Sequence, residues 1–158
     1  MNDLVYAVIL SLLPIAELRG GLPYAYLTGS PIWLAYLICV GANFFVGPIV
    51  FLFLETVHKW LIRWSFYEKV FEIFIRRVRR KTGHLIEKYG FWGVMIFVAI
   101  PLPVTGAYTG TIAAWLFGLD RRKSLVAVFF GVCIAGLVVA TVIYFGIEGV
   151  GFLYKRIN

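Results

Sequence analysis

From Ser124 to Phe145 the chain reads SLVAVFFGVCIAGLVVATVIYF, without one charged residue. At about 1.5 Å per helical residue, such a run crosses a hydrocarbon core of roughly 30 Å. A helix apolar on every side needs either lipid or a large protein interior around it. Ile32 to Leu54 is a second run of this kind, with Asn43 as its one strongly polar residue. Composition points the same way: 61% of the 158 residues are hydrophobic, against roughly half in a soluble domain. The chain therefore reads as an all-α integral membrane protein. Its first residues carry Asp3 and no Lys or Arg. A signal peptide would need a basic start, so the N-terminal segment is expected to be retained.

The net charge of +7 is not read as a nucleic-acid signal. The basic residues lie beside apolar spans, where anionic lipid headgroups and membrane topology explain them. Cys39 and Cys133 fall inside the apolar runs and read as packed thiols. His58 and His84 are isolated in the charged middle of the chain, where an interfacial or solvated role is expected. No metal-ligand spacing and no nucleophile–base pair is legible, so neither a cofactor, a metal nor enzymatic catalysis is expected.

The charged middle, residues 58–90, holds nine Lys or Arg against Glu68, Glu72 and Glu87. Trp60, Trp64, Tyr67, Phe71, Phe74 and Val78 recur there at helical spacing. Aromatics on one face and Arg or Lys on the other suit a helix lying among headgroups. Packing of that face onto the rest of the protein is the other arrangement. The basic excess assigns this segment to the cytoplasmic side of the cell membrane.

Two apolar blocks, 4–29 and 91–118, are interrupted halfway. The first contains PIAELRGGLP and the second PLPVTGAYTG. Proline and glycine weaken helices, and irregular backbone at membrane depth survives only where protein or a water-filled cavity satisfies it. A shift of 89 positions lays Pro14 on Pro103, Gly21 on Gly110, Ala25 on Ala114, Gly29 on Gly118 and Gly47 on Gly136. The expected fold is thus one membrane domain, 1–158, built as an inverted repeat. Residues 1–57 supply a re-entrant hairpin (4–29) and a transmembrane helix (31–57). Residues 91–147 supply a second hairpin (91–118) and helix (124–147), and 148–158 form a tail. Re-entry of the second hairpin puts Arg121, Arg122 and Lys123 on the same side as the basic middle, as the positive-inside bias prefers. Four ordinary spanning helices are the structural alternative.

A charge at the bilayer centre costs about 2.5–3.5 kcal/mol on insertion scales, so Glu17 and Arg19 need a reason to be where they are. Two residues apart, they would face different ways on a continuous helix, so either the backbone is unwound at Gly20-Gly21 or each has a partner elsewhere. With Pro23 they form one half of the expected site. Pro101, Pro103, Thr105, Gly106, Tyr108 and Gly110 form the other half, with Thr109 and Thr111 as further hydroxyls. Arg121 and Arg122 are candidate headgroup contacts. Asn43 is expected to bond a neighbouring helix, Asp120 to start one, and Glu55 to lie at an interface.

ELRGGLP at 17–23 and PLPVTGAYTG at 101–110 resemble the two signature motifs of the putative small multidrug export family of prokaryotic membrane proteins. That family is similar to the wider DedA, or VTT-domain, superfamily. The resemblance implies two re-entrant hairpins facing each other, and movement of lipids, lipid-linked phosphates or other substrates across the prokaryotic plasma membrane. Glu17 resembles the acidic residue of the first DedA hairpin. The arginine expected in the second hairpin has no counterpart between Pro101 and Gly118. The expected function is a transporter of an amphipathic, anionic-headgroup substrate, with Glu17 coupling a proton. A proton-coupled exporter of small drugs and a non-transporting membrane scaffold are the alternatives. Membrane lipids and a second copy of the chain, as a homodimer, are the expected partners.

Overall fold

The computed structural model describes residues 2–102 and 105–157, with side chains described as far as Gly146. The described residues form helices and no strands. The helices are α1 (Asn2–Leu12), α2 (Glu17–Leu27), α3 (Ile32–Glu55), α4 (Val57–Leu61), α5 (Ser65–Tyr89), α6 (Phe91–Ala99), α7 (Ala107–Leu116) and α8 (Arg121–Ile157).

Two segments, Ile32–Leu61 and Arg121–Gly146, are long and apolar enough to cross a membrane. They lie side by side and antiparallel. Arg121 at the start of α8 pairs with Glu55 at the end of α3 at 2.8 Å, and the Tyr36 hydroxyl donates to the Cys133 carbonyl at 3.1 Å. Glycines let the two helices approach. A Cβ at Gly47 would meet Leu125 at 3.1 Å, and one at Gly136 would meet Tyr36 and Val40 at 2.8 Å. Their outer sides carry exposed Leu37, Phe45, Ile49, Val138 and Val142, which is ordinary for a helix whose solvent is hydrocarbon.

The four short helices fill the space around this pair. At 9 to 11 residues each, α1, α2, α6 and α7 reach only about 14–17 Å, half a bilayer core. Asp120 starts α8 by accepting from the Lys123 amide at 3.0 Å, the ordinary use of Asp ahead of a helix.

Two sequence expectations need correction here. The backbone is not unwound at Gly20-Gly21, because both glycines and Pro23 lie inside α2. The first interruption falls upstream, at residues 13–16. Gly21 instead permits close packing, since a Cβ there would overlap the Ser11 hydroxyl and the Ala7 carbonyl on α1. Gly110 does the same in α7, where a Cβ would overlap Val98 on α6.

The second correction concerns the charged middle. The aromatic series does not lie on one interfacial helix. The chain breaks between α4 and α5, leaving Trp60 and Trp64 exposed. From Phe71 onward the same face turns inward: Phe71 and Phe74 pack against the core, and Val78, Thr82 and Ile86 are buried. His58 is not solvated either. It is buried beside Tyr67, Phe71 and Trp115, with ring centroids 4.2 Å from Phe71, and its Nδ1 lies 3.1 Å from the Tyr67 hydroxyl.

A close approach of α8 to α6 gives a stability prediction. A Cβ at Gly131 of α8 would lie 2.6 Å from Val98 Cβ and 2.8 Å from the Met95 carbonyl oxygen on α6. Gly131→Ala should therefore lower unfolding free energy by about 1–3 kcal/mol. Gly41 has nothing within 4 Å of such a Cβ, so Gly41→Ala should be neutral or gain up to about 1 kcal/mol from helix propensity. Denaturant unfolding of the purified protein in one detergent compares the two.

Candidate functional site

Glu17 opens α2 in a left-handed backbone conformation, φ 47°, the only non-glycine with positive φ among the described residues. Such a conformation costs a non-glycine residue roughly 1–3 kcal/mol and persists only where its surroundings hold it. The turn is closed behind it by the Glu17 amide on the Leu13 carbonyl at 2.9 Å and the Gly20 amide on the Ala16 carbonyl at 3.0 Å. This geometry turns the side chain away from α1 and α2, toward the second interruption.

The carboxylate then meets the start of α7. It lies against Gly106, whose φ of 144° places it outside the range of ordinary L residues, and a Cβ at that position would overlap the carboxylate. Oε1 accepts from the Tyr108 amide at 3.4 Å, with the Ala107 amide beside it. These are unpaired N–H groups at a helix start, a natural seat for an anion. Glu17 is 7% exposed and is the only buried acidic side chain among the described residues.

Arg19 crosses the same gap. Its Nη1 donates to the Leu102 carbonyl, and its Nη2 donates to the Thr105 carbonyl and, at 2.9 Å, to Thr105 Oγ1. Thr105 Oγ1 also lies 2.6 Å from the Ile100 carbonyl oxygen and accepts from the Leu102 amide at 3.1 Å. Thus the guanidinium and one hydroxyl satisfy the backbone that the turn after α6 leaves unpaired. In the opposite direction, the Tyr108 hydroxyl donates to the Leu12 carbonyl at 2.5 Å, at the end of α1. No ion pair joins Glu17 to Arg19 among the described residues; each is held by the facing interruption.

Glu17, Arg19, Thr105, Gly106 and Tyr108 are therefore brought together. Pro101 is half-buried in the same turn, and Pro103 lies outside the described residues. Gly21 and Gly110 shape the helix packing around the site, and Gly20 leaves room for Ala16 in the turn before α2; none of the three lines an opening. Pro23, lacking an N–H, leaves the Arg19 carbonyl without its usual helical donor. Arg121 is engaged by Glu55 at the far end of α3, and Arg122 is exposed next to it; neither reaches the site.

Asn43 belongs to the site, which its place in a spanning helix did not reveal. Its Nδ2 donates to the Ser11 carbonyl at 3.3 Å, as a helix-to-helix bond should. Its Oδ1 is buried without a partner, as is the Ser11 hydroxyl oxygen. Asn43 lines a cavity with Glu17, Arg19, Gly106 and Val132 whose free volume is about 10 Å³, space for roughly one water. The two interruptions are closed on one another.

The fit between Glu17 and Gly106 can be tested by a double-mutant cycle. Gly106→Ala should destabilise the protein by about 1–3 kcal/mol, from overlap with the carboxylate added to backbone strain. In a Glu17→Ala background the overlap disappears, so the same change should cost clearly less. A coupling of at least about 0.5 kcal/mol in thermal or denaturant unfolding is expected for groups in contact.

A family model described as "Putative small multi-drug export protein" matches residues 17–138. The match begins at Glu17, directly after the first interruption, and takes in the second interruption, the basic middle and most of the long apolar part of α8. No curated protein and no solved structure matches the chain.

Proposed function

This chain belongs to that family, and from that premise we propose that it is a membrane transporter whose cargo exchanges at Glu17. The observation that carries the reading is the seating of one buried carboxylate on Gly106, between two interruptions flanked by two long apolar helices. The name of the family supports export of small molecules. A buried carboxylate supports a cationic cargo, or a proton, as the species that releases Glu17 from the α7 amides. Arg19, engaged by neutral carbonyls, could be released by an anionic headgroup, and this keeps lipid cargo as a second reading.

The architecture proposed for this activity is an inverted repeat of re-entrant hairpins, α1–α2 and α6–α7. Their length supports it, since none of the four helices crosses a bilayer core. Symmetric contacts support it further. A shift of 89 converts the contact of Gly47 with Leu125 into that of Gly136 with Tyr36, and both occur. The same shift takes Arg19 to Tyr108. Arg19 donates to the Leu102 carbonyl, while Tyr108 donates to that of Leu12, one residue from the exact counterpart. Glu17 shifts onto Gly106, its own contact. These relations are those of an approximate two-fold axis passing through the site, the arrangement common in secondary transporters.

Flux in proteoliposomes tests the cargo. Glu17→Gln should reduce efflux of a cationic dye at least tenfold. An unchanged efflux, or loss of fluorescent-lipid translocation with no dye transport in the unmodified protein, would move the function to the lipid reading. Topology is tested separately in a background lacking Cys39 and Cys133. Thr28→Cys and Leu119→Cys lie near opposite ends of α3 and should react with an impermeant maleimide from opposite sides of the membrane. Labelling of both from one side would sink the re-entrant arrangement.

A further inference from the structure

The outer side of α5 has a division of chemistry that the central site does not use. One groove, about 440 Å³, runs between α5 and α7 and is walled by Phe71, Ile75, Trp115 and Leu116, with Glu72 and Arg76 at its edge. A second cleft, about 390 Å³, lies further along α5 and is lined by Ile73, Arg76, Arg77 and Arg80. Arg76 belongs to both. Arg76 thus stands between an apolar groove and a cluster of three guanidinium groups. Among the described residues, the acidic partner of this cluster is Glu72, 3.8 Å from Arg76 on an exposed helix face. Exposed ion pairs of that kind are weak, too weak to hold Arg76 against a phosphate.

A stripe of Phe66, Val70 and Ile73, respectively 82%, 52% and 56% exposed, leads along the same helix toward Arg77 and Arg80. Apolar side chains followed by arginines suit a helix that meets the bilayer surface. We propose that this groove and cleft form a site for an anionic phospholipid. One acyl chain lies against Phe71, Ile75, Trp115 and Leu116, and the headgroup phosphate is held by Arg76, Arg77 and Arg80. Arginine suits the role because its planar donor fork matches a phosphate. The site is separate from Glu17 and does not depend on the identity of the transported cargo.

Trp115 reports occupancy. In a variant with Trp33, Trp60, Trp64 and Trp92 changed to Phe, the protein is reconstituted in phosphatidylcholine bilayers containing a small, equal fraction of acyl-brominated phosphatidylglycerol or phosphatidylcholine. The brominated anionic lipid should quench Trp115 with a severalfold preference. Each of R76Q, R77Q and R80Q should reduce that preference by up to about fivefold, the weight of one basic residue at an anionic surface. Glu72→Gln should preserve or raise it. Equal quenching by the two lipids overturns the proposal, as does a preference that all three arginine changes leave intact. Should the four-tryptophan change prevent folding, the same comparison uses the native chain against its Trp115→Phe variant, where the anionic preference must fall.

Discussion

The rest of the structure depends on two chain interruptions that solvate one another. Helices of 9 to 11 residues that stop inside an apolar surrounding leave amides and carbonyls with no water to bond. Each such group costs several kcal/mol if unpaired. Glu17 supplies an acceptor for the amides at the start of α7, and Arg19 supplies donors for the carbonyls of Leu102 and Thr105. Tyr108 returns a donor to the end of α1. The side chains that look most expensive in an apolar sequence are thus those that make the interruptions tolerable. The left-handed backbone at Glu17 and the open backbone at Gly106 are consequences of the same requirement, since the carboxylate must reach the amides without meeting a Cβ.

Such a site is full before any cargo arrives. The amides are occupied by Glu17, the guanidinium by carbonyls, and the remaining space is about 10 Å³. A cargo must replace these internal partners instead of entering an empty pocket. In the transport reading this is what makes the site switchable. A species that binds only after the hairpins part can shift the equilibrium by its differential affinity for the parted form, while the closed form keeps its backbone satisfied. Asn43 keeps one buried oxygen unpaired beside the cavity, an acceptor not yet committed to this internal network.

The sequence made the spanning runs, the two interruptions and the oddity of Glu17 and Arg19 plain, because hydrocarbon admits few exceptions to its rules. It left hidden which side of PIAELRGGLP holds the break. Glycine serves equally to loosen a helix and to let another helix approach, and Gly21 does the second inside α2. It also hid the principal partners of Arg19, since a backbone carbonyl carries no residue signature. The aromatic series of the charged middle was legible as a helix face but not as an inward one. Phe71 and Phe74 would read alike against lipid or against α6 and α7. His58 became a packed ring for the same reason: Tyr67 and Phe71 from the next helix and the distant Trp115 converge on it.

The unequal charge of the two interruptions follows from where their residues meet. In the repeat reading, Glu17 and Gly106 are counterparts and touch each other, so they stand at the two-fold axis. A position on an axis has room for the side chain of one copy only. Two carboxylates there would repel and compete for the same volume, whereas one carboxylate and one glycine fill it and leave the α7 amides reachable. Arg19 and Tyr108, slightly off the axis, can both keep a donor, and both do, each aimed at a carbonyl of the opposite hairpin. The absence of an arginine from the second interruption is then no gap in the site. In the repeat reading, its place across from Arg19 is held by a tyrosine hydroxyl that makes a near-equivalent bond, to Leu12, without a second buried charge.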